Sequence, residues 1–150
     1  MADDLERLYR ILDANLNRGR EGLRVCEDIC RFVWDKPLWT RRYKECRHDL
    51  TDVVRSLKIE RLLEARDITG DVGRGSMATE FERRDIWDIF YANAQRVKES
   101  LRVLEEVLKM IDATQARKVK GLRYRVYAIE TEIVGKRAAV CDPGHTGESL

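Results

Sequence analysis

One segment of this sequence occurs twice, and a duplication of this kind restricts the chain to folds with two similar halves. Residues 12–28 read LDANLNRGREGLRVCED, and residues 90–106 read FYANAQRVKESLRVLEE. At an offset of 78 residues, eight of these 17 positions are identical, namely Ala14/Ala92, Asn15/Asn93, Arg18/Arg96, Glu21/Glu99, Leu23/Leu101, Arg24/Arg102, Val25/Val103 and Glu27/Glu105. A weaker match follows at an offset of 76, with Lys44/Lys120 and Arg47/Arg123.

Apolar residues in both copies alternate in steps of four and three, which is the spacing of a packed helix face. The first series is Leu12, Leu16, Gly19, Leu23, Cys26, Cys30 and Val33, and the second is Phe90, Ala94, Val97, Leu101, Leu104, Leu108 and Ile111. We therefore predict an all-α fold, a helical bundle of two pseudo-twofold-related helical hairpins joined by a glycine-containing loop.

Turn signals give the expected ends of the helices. Asp35-Lys36-Pro37 should end the first long helix, because proline restricts the residue before it and suits the first turn of a helix. Further helices are expected over about 37–57, 59–65, 82–111 and 115–136, with a loop of three glycines over 66–79. We expect residues 1–137 to form a single helical domain and residues 138–150 a flexible tail.

The composition narrows the classes of function. A charged fraction of 37% with a net charge of only +2 suits solvated helix faces but gives no basic field for nucleic acid. No apolar stretch approaches the length of a membrane span, and the N-terminus lacks the apolar core of a signal peptide. The four cysteines, Cys26, Cys30, Cys46 and Cys141, are most simply small buried residues. These features predict a cytoplasmic protein with no membrane or nucleic-acid partner.

A polar face lies opposite the apolar seam of the first repeat helix and carries Asn17, Glu21, Arg24 and Asp28. Small apolar residues lie close to the same side, so this face suits a ligand cleft or a subunit interface, and we expect a homodimer. Two interpretations stay open. The charged residues form exposed ion pairs at i,i+3 and i,i+4 spacing, or the arginines bind an anion while the carboxylates hold a metal or take a proton.

The loop offers a second candidate site. Thr69, Gly70, Asp71 and Gly73 supply a hydroxyl, flexible backbone N–H groups and a carboxylate, a combination that can cradle phosphate. The alternative is a plain connection that needs glycine conformations. Neither a Walker lysine motif nor a GxGxxG motif is present, so any ATP would bind without a standard nucleotide signature.

Several of these residues together resemble one family. They are Leu12 to Arg18, Glu21 to Val25, Glu27-Asp28, Arg66-Asp67, Asp71-Val72-Gly73, Ala92-Asn93, Arg96 and Glu99 to Glu106. This pattern is similar to the helical domain that occurs alone, or fused ahead of thiamine-phosphate synthase, in some bacteria: the alternative hydroxymethylpyrimidine phosphate kinase family. The resemblance covers about residues 5–135, with Gly19 where a small residue such as alanine is usual and no counterpart for the tail after Lys136.

The resemblance implies a kinase of thiamine biosynthesis that transfers the γ-phosphoryl group of ATP to 4-amino-5-hydroxymethyl-2-methylpyrimidine phosphate. The implied cofactors are ATP and Mg²⁺, and the candidate partners are the phosphorylated pyrimidine, a second copy of the chain and thiamine-phosphate synthase. The implied roles are catalysis for Arg18, Glu21 and Arg24, substrate binding for Asn15, Asn17, Asn93, Arg96 and Arg102, phosphate binding for Thr69, Gly70, Asp71 and Gly73, and metal binding for Asp28 and Asp71. Phosphoryl transfer needs mainly cations, Mg²⁺ and positioning, which these residue types supply.

Two other functions fit the same residues. Small helical enzymes of the chorismate mutase type also bind an acidic substrate with Arg, Lys, Glu and Gln on helices. A non-catalytic regulatory or scaffolding domain of thiamine enzymes would use the helices only as contact surfaces.

Overall fold

The computed structural model describes residues 2–75 and 81–141, and these form helices joined by short turns, apart from the longer segment between Ala65 and Ile86. The helices are α1 (Ala2–Asp28), which continues into a π-helical turn (Ile29–Val33), α2 (Pro37–Ser56), α3 (Ile59–Ala65), α4 (Ile86–Leu108), α5 (Ala113–Gly135) and α6 (Arg137–Cys141). No strand occurs in these two ranges, so the predicted all-α class is confirmed. None of the helices described is long and apolar enough to cross a membrane.

Aspartate caps give the starts of the two later helices. The Asp85 carboxylate accepts a hydrogen bond from the backbone N–H of Asp88 at 2.9 Å, so α4 begins at Ile86, four residues later than the 82 predicted from sequence. The Asp112 carboxylate likewise accepts from the N–H groups of Thr114 and Gln115, and α5 begins at Ala113. Sequence periodicity gave the helices correctly, but the caps decide their ends.

The four long helices pack as two hairpins, α1 with α2 and α4 with α5. Helix α1 also packs against α4, and α2 packs against α5. The predicted apolar seams lie in the core, where Leu12, Leu23, Phe90, Leu101 and Leu108 are fully buried. Both copies of the repeat therefore point the same side of their helix into one shared core.

Helices α1 and α4 cross at glycine positions, where their backbones come close together. A Cβ atom on Gly22 would lie 2.7 Å from Val97 Cγ2 and 3.1 Å from the Asn93 carbonyl oxygen. A Cβ atom on Gly19 would lie 3.8 Å from Ser100 Cβ, so the residue numbers rise on α1 as they fall on α4 and the two helices are antiparallel.

These crossing contacts are reciprocal in the repeat. At the offset of 78, Gly19 corresponds to Val97 and Gly22 corresponds to Ser100. Gly19 lies near Ser100, and Gly22 lies near Val97, so each position contacts the counterpart of the other. Reciprocal contacts of this kind are typical of a twofold-related pair. The pseudo-twofold relation between the hairpins remains a prediction.

An aromatic cluster closes the end of the bundle where α1 turns into α2. The ring of Trp34 lies 4.5 Å from that of Trp87, 5.2 Å from that of Phe90 and 6.4 Å from that of Trp39, measured between centroids. Aromatic pairs at these separations stabilise the core beyond the area that they bury. The cluster joins the π-helical turn to α2 and α4.

Three cysteines lie inside the bundle as free thiols, namely Cys26, Cys30 and Cys46, as predicted for small buried residues. Burial raises the pKa of Cys30 to about 12 and that of Cys46 to about 11, and it raises the pKa of Cys26 further still. All three thiols are therefore protonated near neutral pH.

The predicted tail begins within α6, which covers residues up to Cys141. Residues 142–150, and residues 76–79 of the predicted loop, lie outside the described ranges.

We expect Gly22→Ala to lower the free energy of unfolding by about 1–3 kcal/mol, because the added methyl group overpacks the α1–α4 crossing. Urea denaturation of the variant measures this change. Gly121→Ala is the matched control, since a Cβ there meets no atom within 4 Å and removing a helical glycine should raise stability by up to about 1 kcal/mol. Equal effects of the two substitutions would contradict the close crossing.

We expect the three buried thiols to react slowly with Ellman's reagent at pH 8, because the thiolate is the reactive form and their raised pKa values keep it scarce. The measurement uses the Cys141→Ser variant, so that only the three described thiols are counted. All three should react at once in denaturant. Rapid reaction of any thiol in the folded protein would show that the core is more open than the packing indicates.

Candidate functional site

An open cleft of about 540 Å³ lies between the first half of α1 and the segment that follows α3. We call it the N-terminal cleft. It is lined by Arg7, Arg10, Ile11, Asp13, Ala14, Asn15, Arg18, Arg66, Asp67, Ile68 and Asp71. Three residues predicted from sequence, Asn15, Arg18 and Asp71, therefore lie around one cavity.

Helix geometry explains the α1 side of this cleft. Arg7, Ile11, Ala14 and Arg18 follow each other in steps of four, three and four, so they form one stripe along the helix. Asn15 is buried beside the stripe, and its Nδ2 atom donates to the Ile11 carbonyl oxygen at 2.9 Å. The stripe thus presents two guanidinium groups on either side of small or apolar residues.

A bidentate ion pair fixes the opposite wall of the cleft to α1. Arg66 donates from Nε and Nη2 to the two carboxylate oxygens of Asp13, at 2.8 and 2.7 Å. The Asp13 carboxylate also accepts a hydrogen bond from Asn17 Nδ2 at 3.3 Å. The hydrogen bond to Asp13 raises the pKa of Arg66, which therefore stays charged. Since Asp13 is buried, this pair holds the start of the loop firmly against the helix.

Two aspartates shape the loop itself. Asp67 Oδ1 accepts from the Gly70 N–H at 2.8 Å and from the Thr69 hydroxyl at 3.4 Å. Asp71 Oδ1 accepts from the Gly73 N–H at 2.9 Å. The glycine N–H groups predicted to bind phosphate are thus engaged by carboxylates, and of the four predicted loop residues only Asp71 lines the cleft.

The cleft contains cations that are available to an anion. Arg7 pairs with Asp3 at 2.8 Å, and Arg66 is held by Asp13. Within the described part of the chain, Arg10 and Arg18 have no carboxylate partner. Both side chains are exposed, so an entering phosphate would find two guanidinium groups that no internal carboxylate already neutralises.

Other predicted site residues belong to two ion-pair networks that repeat in the two halves. The buried Glu27 carboxylate accepts from Arg47 of α2 at 2.8 Å and lies 3.6 Å from Arg24. In the second half, the buried Glu105 carboxylate accepts from Arg123 of α5 at 2.9 Å, and it lies 3.5 Å from Arg102.

These networks give a structural reason for part of the repeat. Glu27 and Glu105 are only 2% and 3% exposed, and a buried carboxylate needs a cationic partner. Arg24 and Arg102 extend each network to the surface, where they also pair with Asp28 and Glu106. The recurrence of these arginines and glutamates is therefore explained by packing of each repeat helix on the next helix.

The remaining predicted residues lie apart from the N-terminal cleft. Asn93 donates to the Ile89 carbonyl oxygen at 2.8 Å, which repeats the bond that Asn15 makes to Ile11. Glu21 and Arg96 are exposed, and neither side chain has a partner among the described residues. Asn17 lies behind the cleft, where it supports Asp13.

Comparison with known proteins places the chain in a family. Residues 10–132 match the ThiD2 family, which covers most of the sequence. The chain belongs to the ThiD2 family.

The curated relatives are thiamine-phosphate synthases. The chain is 43% identical over 129 residues to one from Nostoc sp. strain PCC 7120, covering 85% of this chain and 36% of the relative. It is 43% identical over 131 residues to one from Synechocystis sp. strain PCC 6803, covering 87% and 37%. A relative from Rhodopirellula baltica is 39% identical over 134 residues, covering 89% and 36%. The chain thus spans just over a third of these relatives' length, and no solved structure matches it.

The two carboxylates predicted to bind metal do not lie together in this family member. Asp28 is 13 residues beyond Asn15 on α1, or about 20 Å along the helix, whereas Asp71 lines the cleft beside Asn15. Among the residues described, no group of three or more His, Cys, Asp or Glu side chains is arranged to hold a metal ion. Asp67 and Asp71 fit only a Mg²⁺ ion that binds together with a polyphosphate, because such an ion needs one or two protein carboxylates and keeps several waters.

Sequence reasoning missed five charged residues of the cleft: Arg7, Arg10, Asp13, Arg66 and Asp67. Asp13, Arg66 and Asp67 belong to the motif that carries the family resemblance, but their pairing joins distant parts of the chain. Arg10 falls outside that motif. The sequence feature that could have identified it is its position beside the stripe that runs from Arg7 to Arg18.

We expect Asp13→Asn to loosen the loop, because it removes the charge that holds Arg66. Trypsin should then cut after Arg66 or Arg74 at least about fivefold faster, as a loss of about 1 kcal/mol in anchoring implies. Mass spectrometry of early fragments locates the cuts. Asp3→Asn breaks the exposed Arg7–Asp3 pair on the same helix and serves as the control, and equal acceleration by both variants would contradict the anchoring role.

Proposed function

We propose that this protein is an ATP-dependent kinase of thiamine biosynthesis that converts 4-amino-5-hydroxymethyl-2-methylpyrimidine phosphate to its diphosphate. Membership of the ThiD2 family and similarity to thiamine-phosphate synthases support a role in this pathway. The proposal includes a cytoplasmic location, a homodimer and thiamine-phosphate synthase as a functional partner.

The observation that carries the proposal is the convergence of two motif segments on the N-terminal cleft. Asn15 and Arg18 come from the repeat motif on α1, and Asp67 and Asp71 come from the glycine-containing loop. A volume of about 540 Å³ is of the size that small-molecule sites have. Arginines without partners and nearby carboxylates are the groups that phosphoryl transfer uses.

The residues then take the following roles. Arg10 and Arg18 bind phosphate oxygens and stabilise the negative charge that spreads over the transferred group. Asn15 lines the same cleft, and because its Nδ2 atom is bonded to the Ile11 carbonyl oxygen, its Oδ1 atom would accept from the amino group of the pyrimidine. Asp71 and Asp67 would hold Mg²⁺ together with ATP, and that ion neutralises charge on the phosphates.

The reaction needs no strong base. An oxygen of the acceptor phosphate attacks the γ-phosphorus of ATP, a new P–O bond forms, and the bond to the β-phosphate oxygen breaks to release ADP. A phosphate monoester is largely dianionic at neutral pH, so the nucleophile is already deprotonated. The protein therefore contributes positioning and charge rather than a proton acceptor.

The direct test incubates the pure protein with ATP, Mg²⁺ and the pyrimidine phosphate and follows products by ³¹P NMR. The expected result is a diphosphate ester formed in equal amount to ADP. Hydrolysis of ATP without a diphosphate product would overturn the proposal. The absence of product, together with no heat of binding for either substrate in calorimetry, would favour a non-catalytic helical domain.

We expect Arg18→Ala and Asp71→Ala each to lower kcat/KM by about 100-fold or more, as loss of one group that stabilises transition-state charge does. Arg20→Ala is the matched control, because Arg20 is exposed two residues away on α1 and does not line the cleft. Arg96→Ala tests the residue of α4 that corresponds to Arg18 in the repeat. A larger loss for Arg96→Ala than for Arg18→Ala would move the site to the second half.

A further inference from the structure

A second cleft of about 490 Å³ lies at the other end of α1, where the chain turns into α2. We call it the basic cleft. It is lined by Glu27, Arg31, Asp35, Lys36, Pro37, Thr40, Arg41 and Lys44. Apart from Glu27, none of these residues belongs to the motif that carries the family resemblance.

Local structure explains why these side chains converge. Pro37, Arg41 and Lys44 follow in steps of four and three, so they share one face at the start of α2. Arg31 projects from the π-helical turn, and Lys36 comes from the connection in which Asp35 has a positive φ of 50°. The Lys36 N–H donates to the Cys30 carbonyl oxygen at 2.9 Å, so the connection is held against the π-helical turn and lines the cleft together with the start of α2.

The charges in this cleft are unbalanced. Arg31, Lys36, Arg41 and Lys44 have no carboxylate partner in the described ranges of the chain. The Glu27 carboxylate is already held by Arg47, so Asp35 is the only other carboxylate that lines the cleft. Four cations therefore face one free carboxylate in a concave site, whereas cations packed between α4 and α5, such as Lys98 with Glu130, are paired.

The backbone adds to the positive potential. The first N–H groups of a helix have no partner within the helix. Asp85 and Asp112 cap the starts of α4 and α5, but no side chain caps the start of α2 at Lys36. The N-terminus of α2, a helix of 20 residues, thus lies next to four cations that have no carboxylate partner among the described residues.

We propose that the basic cleft binds a small phosphorylated anion, a phosphate monoester or a diphosphate, at a site separate from the N-terminal cleft. Asn15 and Glu27 are 12 residues apart on α1, or about 18 Å along the helix, so one ligand does not bridge both clefts within a chain. Concave shape and a volume suited to one small molecule favour a metabolite over an extended polyanion.

Intrinsic fluorescence reports on this site selectively. The chain has three tryptophans, and all of them belong to the aromatic cluster around Trp34, next to the basic cleft. Titration with inorganic diphosphate at constant ionic strength should give a saturable change in emission. The Arg41→Ala/Lys44→Ala variant should weaken the apparent binding by at least about tenfold, since two cations contact the anion. Parallel titrations with inorganic monophosphate and ADP distinguish a free anion from a nucleotide phosphate.

The repeat provides a matched control for charge. Arg117 and Lys120 are exposed on α5 at the positions that correspond to Arg41 and Lys44, at the offset of 76. Arg117→Ala/Lys120→Ala removes the same charge and should keep the affinity, and circular dichroism checks that both variants fold. The titration needs neither ATP nor the pyrimidine, so its outcome is independent of the proposed kinase activity.

Four results would overturn the proposal. They are a flat titration of the unaltered protein, equal weakening in both double variants, loss of binding in Arg18→Ala with retention in Arg41→Ala/Lys44→Ala, and binding of a short oligonucleotide that is tighter than that of diphosphate. The last result would identify a nucleic-acid surface instead.

Discussion

Helices α1 and α4 approach so closely at Gly22 that only a hydrogen atom fits between that residue and Val97. The other elements are placed relative to this crossing. Helix α2 reaches α1 at Gly19, where Leu50 occupies the space that a side chain would take, and α5 packs against both α4 and α2. Because α1 is fixed by this packing, its exposed stripe becomes a rigid wall against which a loop can be anchored.

Each of the two hairpins is held together by the same kind of ion pair, which a buried glutamate of the repeat helix forms. Each carboxylate reaches an arginine on the following helix, and neither could remain buried without that partner. A further parallel appears at the short helices. Arg61 lies 4.7 Å from the ring of Tyr9, and Arg137 lies 4.8 Å from the ring of Trp87, which is the counterpart of Tyr9 at the offset of 78. The likeness of the halves therefore extends beyond the motif that reveals it in sequence.

Patterns within a single helix were predictable. Apolar periodicity gave the core faces, Pro37 gave the start of α2, and the spacing of Ile59 to Ala65 gave α3. The predicted ends of helices that depend on a side-chain cap, such as Asp85 at α4, differed from the observed ends by a few residues, because composition does not show which aspartate accepts the hydrogen bond.

In the cleft, Asn15, Arg18 and Asp71 were predicted as site residues from sequence. The Asp13–Arg66 pair was not, since it joins distant positions whose contact exists only after folding. Arg24 and Arg102 show the opposite case, in which a recurring polar pattern has a packing cause.

The N-terminal cleft combines residues that recur in α4 with residues that do not. On its α1 wall, Ile11, Ala14, Asn15 and Arg18 recur at the offset of 78, whereas Arg7, Arg10 and Asp13 are replaced. The counterpart of Arg10 is Asp88, which binds Arg84, and the counterpart of Asp13 is Tyr91. The two halves therefore share part of the stripe along the cleft, but α4 lacks counterparts of Arg10 and of the carboxylate that holds Arg66. A kinase site that depends on Arg10 and on the Asp13–Arg66 pair would therefore occupy the first half alone, which implies one ligand per chain at the N-terminal cleft.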